Sequence, residues 1–285
     1  DASADAMLGS PQRLLKRTSS SLLRSVLRSG PLGICAMGVV TLLNALYLYR
    51  SLQQQPTKSK ANPADVPAAR LQGQLDGRWA ALHAAQVNRA ASAPKWPALG
   101  GIRVLFLGDS ITMGFANHPR WLDFEALGAS NFGIGGDRTQ HIAWRLANGL
   151  LDAHPPAVVV LMAGTNNLDS DDAAEVVRGV ATILRLIAER WPAPATRVLL
   201  CSLFPRGVAA DNVLRARTAA VNDGLRQLAD DPAAFVTFFD AAALMPLSDD
   251  GSLDPAYTFD YVHLTPRQYG LYADALLPAV REMLA

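Results

Sequence analysis

Ile102-Arg103-Val104-Leu105-Phe106-Leu107-Gly108-Asp109-Ser110-Ile111-Thr112 is the stretch on which the reading of the fold turns. Residues 102–107 form a short, mostly apolar run without alternation, the pattern of a strand buried on both faces, and Gly108 closes it. Working outward, similar runs recur around 131–132 and at 157–162, 197–203 and 235–239, each followed by a helical or loop stretch. Asp172-x-x-Glu175 predicts a capping box on a helix ending before Pro192. Thr265-Pro266-x-Gln268 predicts the same device on the last helix. Leu71, Leu75, Trp79 and Leu82 recur at helical spacing and predict a docked helix over about 68–90. Buried strands alternating with helices predict a parallel sheet covered on both faces, a single α/β/α domain.

Composition agrees with a folded body. The chain has 285 residues, 50% hydrophobic and 18% charged, which supplies a core and excludes wholesale disorder. The net charge of +1 hides an asymmetry: residues 1–100 hold 12 Lys/Arg against 4 acids, and the remainder 14 against 21. A mildly acidic body argues against a nucleic-acid partner. Cys35 and Cys201 make no disulfide framework and read as buried thiols. Five histidines without His-Glu-x-x-His or a Cys/His cluster predict no metal site. Gly133, Gly135 and Gly136 miss the dinucleotide fingerprint, because its last glycine would fall at Arg138, so no nucleotide cofactor is expected.

The front of the chain reads differently. Residues 29–49 are 21 uncharged residues, long enough as a helix to cross a hydrocarbon core of ~30 Å. Arg13, Lys16, Arg17, Arg24 and Arg28 precede them, so the positive-inside rule keeps 1–28 in the cytoplasm as a basic arm and exports the body. Tyr47 and Tyr49 fall at the far interface. A cleaved signal peptide is disfavoured, since the run has no small-residue cleavage pattern; a buried soluble helix is the other rival. Residues 50–67, rich in Gln, Lys and Pro, read as an exposed linker, and 68–285 as the folded domain. The expected location is the inner membrane, single-pass, with the domain periplasmic or otherwise outside the cytoplasm.

In a doubly wound sheet the site forms beyond the C-terminal ends of the strands. Four segments arrive there: Gly108-Asp109-Ser110, Gly133-Ile134-Gly135-Gly136-Asp137-Arg138, Gly164-Thr165-Asn166-Asn167 and Asp260-Tyr261-Val262-His263. Ser110, at a strand-to-helix turn, is the candidate nucleophile, and a serine hydroxyl needs a base. His263 is that candidate. Asp260, three residues earlier, can hold the other ring nitrogen and stabilise the imidazolium. The N–H groups of Ser110 and Gly136 and the side-chain amide of Asn166 are candidate oxyanion donors. Asp109 and Asp137 each read as a helix cap or a substrate contact. Ile111 and Val262 adjoin the nucleophile and base, and a branched side chain there favours acetyl over long acyl chains. Each motif alone has a structural reading; the ordered set is hard to obtain from packing. Trp144 and Arg145 read as packing residues, His83, His118, His141 and His154 as surface or core histidines, and Asp169, Asp171 and Asp172 as a solvated helix start.

Phe106-Leu107-Gly108-Asp109-Ser110, Gly136, Gly164-x-Asn166 and Asp260-x-x-His263 resemble the GDSL/SGNH hydrolases. Asn131-Phe132-Gly133-Ile134-Gly135-Gly136-Asp137, Trp144-Arg145-Leu146 and Gly164-Thr165-Asn166-Asn167 are similar to the platelet-activating factor acetylhydrolase catalytic-subunit-like esterases within them. The resemblance runs over 78–285 and leaves the basic arm and anchor outside. It implies a flavodoxin-like three-layer fold and hydrolysis through an acyl-serine intermediate without metal or cofactor. By motif position it implies Ser110 as nucleophile, Gly136 and Asn166 as oxyanion donors, and Asp260 and His263 as the rest of a triad. It admits a homodimer. The expected activity is a short-chain, acetyl-preferring esterase on a small-molecule, glycan or lipid ester. Alternatives are a lysophospholipase or thioesterase, a glycan O-acyltransferase on the same site, and a non-catalytic glycan- or protein-binding module.

Overall fold

The structure, a computed structural model, describes residues 64–70, 76–95, 98, 100–230 and 235–285. The basic arm, the 29–49 run and Cys35 lie outside the described residues. Among those described, no helix is long and apolar enough to cross a membrane.

Helix α1 (Asp76–Ser92) leads into strand β1 (Val104–Gly108), followed by the short helices α2 (Ser110–Phe115) and α3 (Trp121–Glu125). Strand β2 (Ala129–Gly133), helix α4 (Thr139–Ala147), strand β3 (Val158–Met162), helix α5 (Ala173–Arg190) and strand β4 (Arg197–Cys201) continue the alternation. Helix α6 (Val213–Ala229), strand β5 (Val236–Phe239) and helix α7 (Pro266–Leu284) complete it. The five strands are parallel, in the order β2-β1-β3-β4-β5. The order reverses on either side of β1, so a crevice opens above its C-terminal end. Register sharpens this: Gly108 is level with Gly133 on one side and Met162 on the other.

Every residue of β1 and β3 is buried, as runs of Val, Leu and Phe without alternation require. Helices α4, α5 and α6 pack side by side in one layer, while α3 packs on α7. An aromatic cluster joins that second pair to the sheet. Phe106 meets Trp121 edge-on at 4.9 Å, Phe115 stacks on Tyr269 at 5.6 Å, and the Tyr269 hydroxyl donates to the carbonyl of Ile111. Phe115 is fully enclosed, so truncating it to alanine would cost ~3–5 kcal/mol.

The expected capping box on α5 is present: Glu175 N–H donates to Asp172 at 2.8 Å, and Asp172 N–H to Glu175 at 2.9 Å. On α7 only half of the device forms. Thr265 accepts from Gln268 N–H, but the Gln268 amide turns inward to the carbonyl of Leu244, where a buried acceptor outbids the local one.

Two expectations at the front need correction. The helix expected over 68–90 does not include 68–70, which run without regular structure along the body; Ala68 N–H is spent on the carbonyl of Gln140. Leu71 and Leu75 lie outside the described residues, while Trp79 is buried. The linker assigned to 50–67 also ends earlier. Ala64 is fully buried with its carbonyl accepting from Thr139, and Asp65 pairs with Arg178 at 3.1 Å. Residues 64–70 therefore form a strap held on the domain.

Candidate active site

The turn from β1 into α2 sets the position of Ser110. A Cβ on Gly108 would lie 2.1 Å from the Thr112 hydroxyl and 2.6 Å from the carbonyl of Met162, so only glycine permits this approach. Asp109 follows as N-cap, accepting from Ile111 N–H at 2.9 Å. Ser110 then opens the helix, half-exposed at the crevice.

His263 comes from the loop before α7. Asp260 organises that loop with its own carboxylate: Oδ1 accepts from the N–H groups of Val262 and His263 at 3.0 and 2.7 Å. Oδ2 lies 2.5 Å from His263 Nδ1. Burial raises the Asp260 carboxyl, but these bonds from His263 and Val262 outweigh it and leave it below 3.8. Tyr261 takes the left-handed conformation, φ 61°, that closes the turn. The other imidazole nitrogen, Nε2, lies 2.9 Å from Ser110 Oγ, and the Phe259 ring stacks on the imidazole. Ser110, His263 and Asp260, 153 residues apart at the extremes, thus form one hydrogen-bonded chain.

Two of the candidate oxyanion donors, Gly136 and Asn166, line one cavity, and the residue before Gly136 comes close to the serine. A Cβ on Gly135 would fall 3.8 Å from that of Ser110. Among the described residues, the N–H groups of Ser110 and Gly136 make no protein hydrogen bond. Asn166 stands in a 3-10 turn after β3, and its amide nitrogen donates to the carbonyl of Asp137 at 2.8 Å. An amide NH₂ has two hydrogens, so one remains for a ligand.

Beneath these donors lies a layer that sequence reasoning missed. Asp137 is fully buried, accepts from the Trp79 indole at 2.7 Å, and faces Arg145 Nε at 2.9 Å. The Arg145 Nε–H does not align for a hydrogen bond, so this contact is ionic. Arg145, itself fully buried, donates to the carbonyls of Phe132 and Gly108 and to Gln86 of α1. One guanidinium therefore ties the ends of β1 and β2 to the loop that carries Gly136. Burial raises the Asp137 carboxyl above 3.8 although Arg145 opposes it, and burial lowers Arg145.

Several expectations change accordingly. Asp137 does not cap α4, because its carboxylate is committed to Trp79 and Arg145. The cap comes from afar: Asn167 Oδ1 accepts from Thr139 N–H at 3.0 Å, and His141 Nδ1 from Arg138 N–H. Asp109, Ile111 and Asp137 are enclosed at 0%, 2% and 0% exposure, so they support the floor of the site rather than line it. Val262 is half-buried beside the base. The acidic trio divides: Asp172 caps α5, Asp169 pairs with Arg206, and Asp171 is buried against Asn167. Trp144 packs on Trp79 and His83, as expected. Cys201 is buried, and burial pushes its thiol up to about 12.

A cavity of about 350 Å³ opens beside Gly136 and Asn166, lined by these two and by Arg70, Arg138, Gln140, His141 and Asp169. All its side chains are polar. Burial, with Arg70 and Arg138 adding to it, lowers His141 to about 4, so this ring is neutral at pH 7. Arg138 lies two residues after a candidate donor, Gly136; Arg70 lies 40 residues before Ser110, with no motif to mark it. A hydroxyl, a base, an anion behind the base and a cluster of donors make up the equipment for acyl transfer.

Residues 106–271 match the GDSL-like lipase/acylhydrolase family. The chain is 38% identical over 226 residues to platelet-activating factor acetylhydrolase IB subunit alpha1 of Homo sapiens, covering 79% of this chain and 92% of that protein. It is 34% identical over 240 residues to the human alpha2 subunit, covering 80% and 94%. Its fold is like that of a GDSL-like lipase from Bacteroides thetaiotaomicron, with TM-score 0.58 at 21% identity over 72% of this chain and 97% of that one.

Proposed function

The chain belongs to the GDSL-like lipase/acylhydrolase family and is an ester hydrolase, and on that premise we propose that it removes short acyl groups, acetyl above all, from polar alcohols through an acyl-serine at Ser110. The observation that carries this reading is the hydrogen-bonded chain from Ser110 Oγ through His263 to Asp260. In it, Oγ attacks the ester carbonyl while His263 Nε2 takes the hydroxyl proton, and Asp260 stabilises the imidazolium. The oxyanion so formed is held by the N–H groups of Ser110 and Gly136 and by the Asn166 amide. Collapse breaks the ester C–O bond, and His263 returns the proton to the departing alcohol. Water then attacks the acyl-serine by the same route and releases the acid.

The polar cavity beside Gly136 and Asn166 supports a hydrophilic alcohol, such as a sugar, over a lipid chain. The human relatives are named as acetylhydrolases, which supports acetyl as the group removed. Branched Val262 beside the base argues in the same direction. A lipid ester is the second reading, favoured by Phe259, 68% exposed against the catalytic imidazole. The apolar 29–49 run behind a basic arm supports a single-pass anchor with the domain outside the cytoplasm; protease added outside intact spheroplasts tests it, with cleavage of the domain expected before lysis, and cleavage only after lysis would refute it.

The decisive assay is hydrolysis of p-nitrophenyl esters from acetyl to decanoyl by the full chain, beside Ser110→Ala. Activity greatest at acetyl and absent from the variant is expected. A maximum at long chains transfers the proposal to lipids, and an active Ser110→Ala removes the serine mechanism.

A further inference from the structure

Resting on that reading, we infer that Arg70, from the strap ahead of α1, is a positioning residue that orients and polarises the oxyanion-binding peptide between Gly135 and Gly136. The Arg70 guanidinium donates to the carbonyl oxygen of Gly135 at 2.7 Å. That carbonyl and the N–H of Gly136 belong to one planar peptide, and in the trans form they point in opposite directions. Whatever holds the oxygen therefore aims the hydrogen.

The hold is needed here because both residues of this peptide are glycines. Gly136 sits at φ +78°, and nothing in its own side chain restrains rotation of the unit. The guanidinium also fills the space a side chain would take. A Cβ on Gly136 would lie 2.9, 3.1 and 3.2 Å from Arg70 Nη1, Nη2 and Cζ. Arg70 thus covers one face of Gly136, while a Cβ on neighbouring Gly135 would stand 3.8 Å from that of Ser110.

Orientation is half of the effect. A carbonyl that accepts a charge-assisted hydrogen bond shifts electron density toward its oxygen and makes the N–H across the same amide a stronger donor. The positive charge itself stands next to the site where a negative oxygen forms. Both contributions act on the tetrahedral intermediate more than on the neutral ester, so they belong in kcat rather than KM. The strap is fastened independently by Ala64, Asp65 and Ala68, which gives Arg70 a fixed base from which to reach.

The test compares the full chain with Arg70→Met, Arg70→Lys, Asp65→Asn and Ser110→Ala on p-nitrophenyl acetate. Arg70→Met is expected to lower kcat by ~10- to 100-fold with KM within about twofold, less than the loss of a direct oxyanion donor. Arg70→Lys, which keeps a charged donor, recovers part of the loss. Asp65→Asn removes the Arg178 pair without touching Gly135; the bonds of Ala64 and Ala68 still hold the strap in place, so this variant keeps the parent kcat. A kcat for Arg70→Met within threefold of the parent overturns the inference, as does an equal fall in Asp65→Asn. Activity persisting in Ser110→Ala overturns the serine reading instead, and the inference with it.

Discussion

Arg145 and Asp137 form an ion pair with 2.9 Å between Nε and Oδ2, and neither side chain reaches solvent. The pair lies where the ends of β1 and β2 meet the loop bearing Gly136, so its integrity and the geometry of the proposed oxyanion donors are one problem. Arg145→Met removes the partner of a buried carboxylate and three further acceptors' donor. It is expected to destabilise the fold by ~3–5 kcal/mol, read as a fall in the urea midpoint, with Asp137→Asn added in the same chain restoring part of it.

Asn166→Ala deletes a proposed oxyanion donor that also bonds the carbonyl of Asp137. The expected loss is ~100- to 1000-fold in kcat with KM little changed, measured by steady-state ester hydrolysis. A loss confined to KM would assign the amide to ground-state binding.

Asp109 supplies a pH test. It is fully enclosed, its Oδ2 has no hydrogen-bond partner among the described residues, and burial pushes its carboxyl up to about 7 from 3.8. Between these values the unfolded chain releases a proton that the folded chain retains. The group's contribution to stability is thus full below about pH 4 and is lost as pH rises to about 7. Asp109→Asn removes the titration while keeping the acceptor for Ile111. Relative to the parent, the variant gains on the order of 3 kcal/mol between pH 4.5 and 8, measured by denaturant unfolding at each pH.

Gly136→Ala forces a side chain into a left-handed position and against the Arg70 guanidinium. It is expected to cost ~1–2 kcal/mol of stability and to lower kcat. In an Arg70→Met background the same substitution meets no guanidinium, so a double-mutant cycle is expected to show coupling of at least ~0.5 kcal/mol in kcat.

The strands were legible because burial on both faces leaves unbroken runs such as Val158–Met162, which need no tertiary knowledge to recognise. The meeting of Ser110, His263 and Asp260 was legible because each follows a strand or precedes a helix at one edge of a parallel sheet, and because the ordered motifs resemble a known family. What stayed hidden were partnerships fixed only by packing. Asn167 caps a helix 28 residues away, a service the sequence assigned to neighbouring Asp137. Gln268, spaced for a capping box, is drawn to Leu244 because a buried carbonyl needs it more. Arg145 follows Asp137 by eight residues, two helical turns, yet nothing local says that both are dehydrated together.

The three groups that brace the loop from outside the sheet, Arg70, Trp79 and Gln86, all precede the first strand, whereas the family match begins at Phe106. A recombination event that joined a new leader to this chain at the β1 boundary would carry over Ser110, Asp260 and His263 unharmed. It would leave behind the supports of Gly135, Asp137 and Arg145. The stretch of chain that this site depends on is therefore longer than its motif set and reaches back to Arg70.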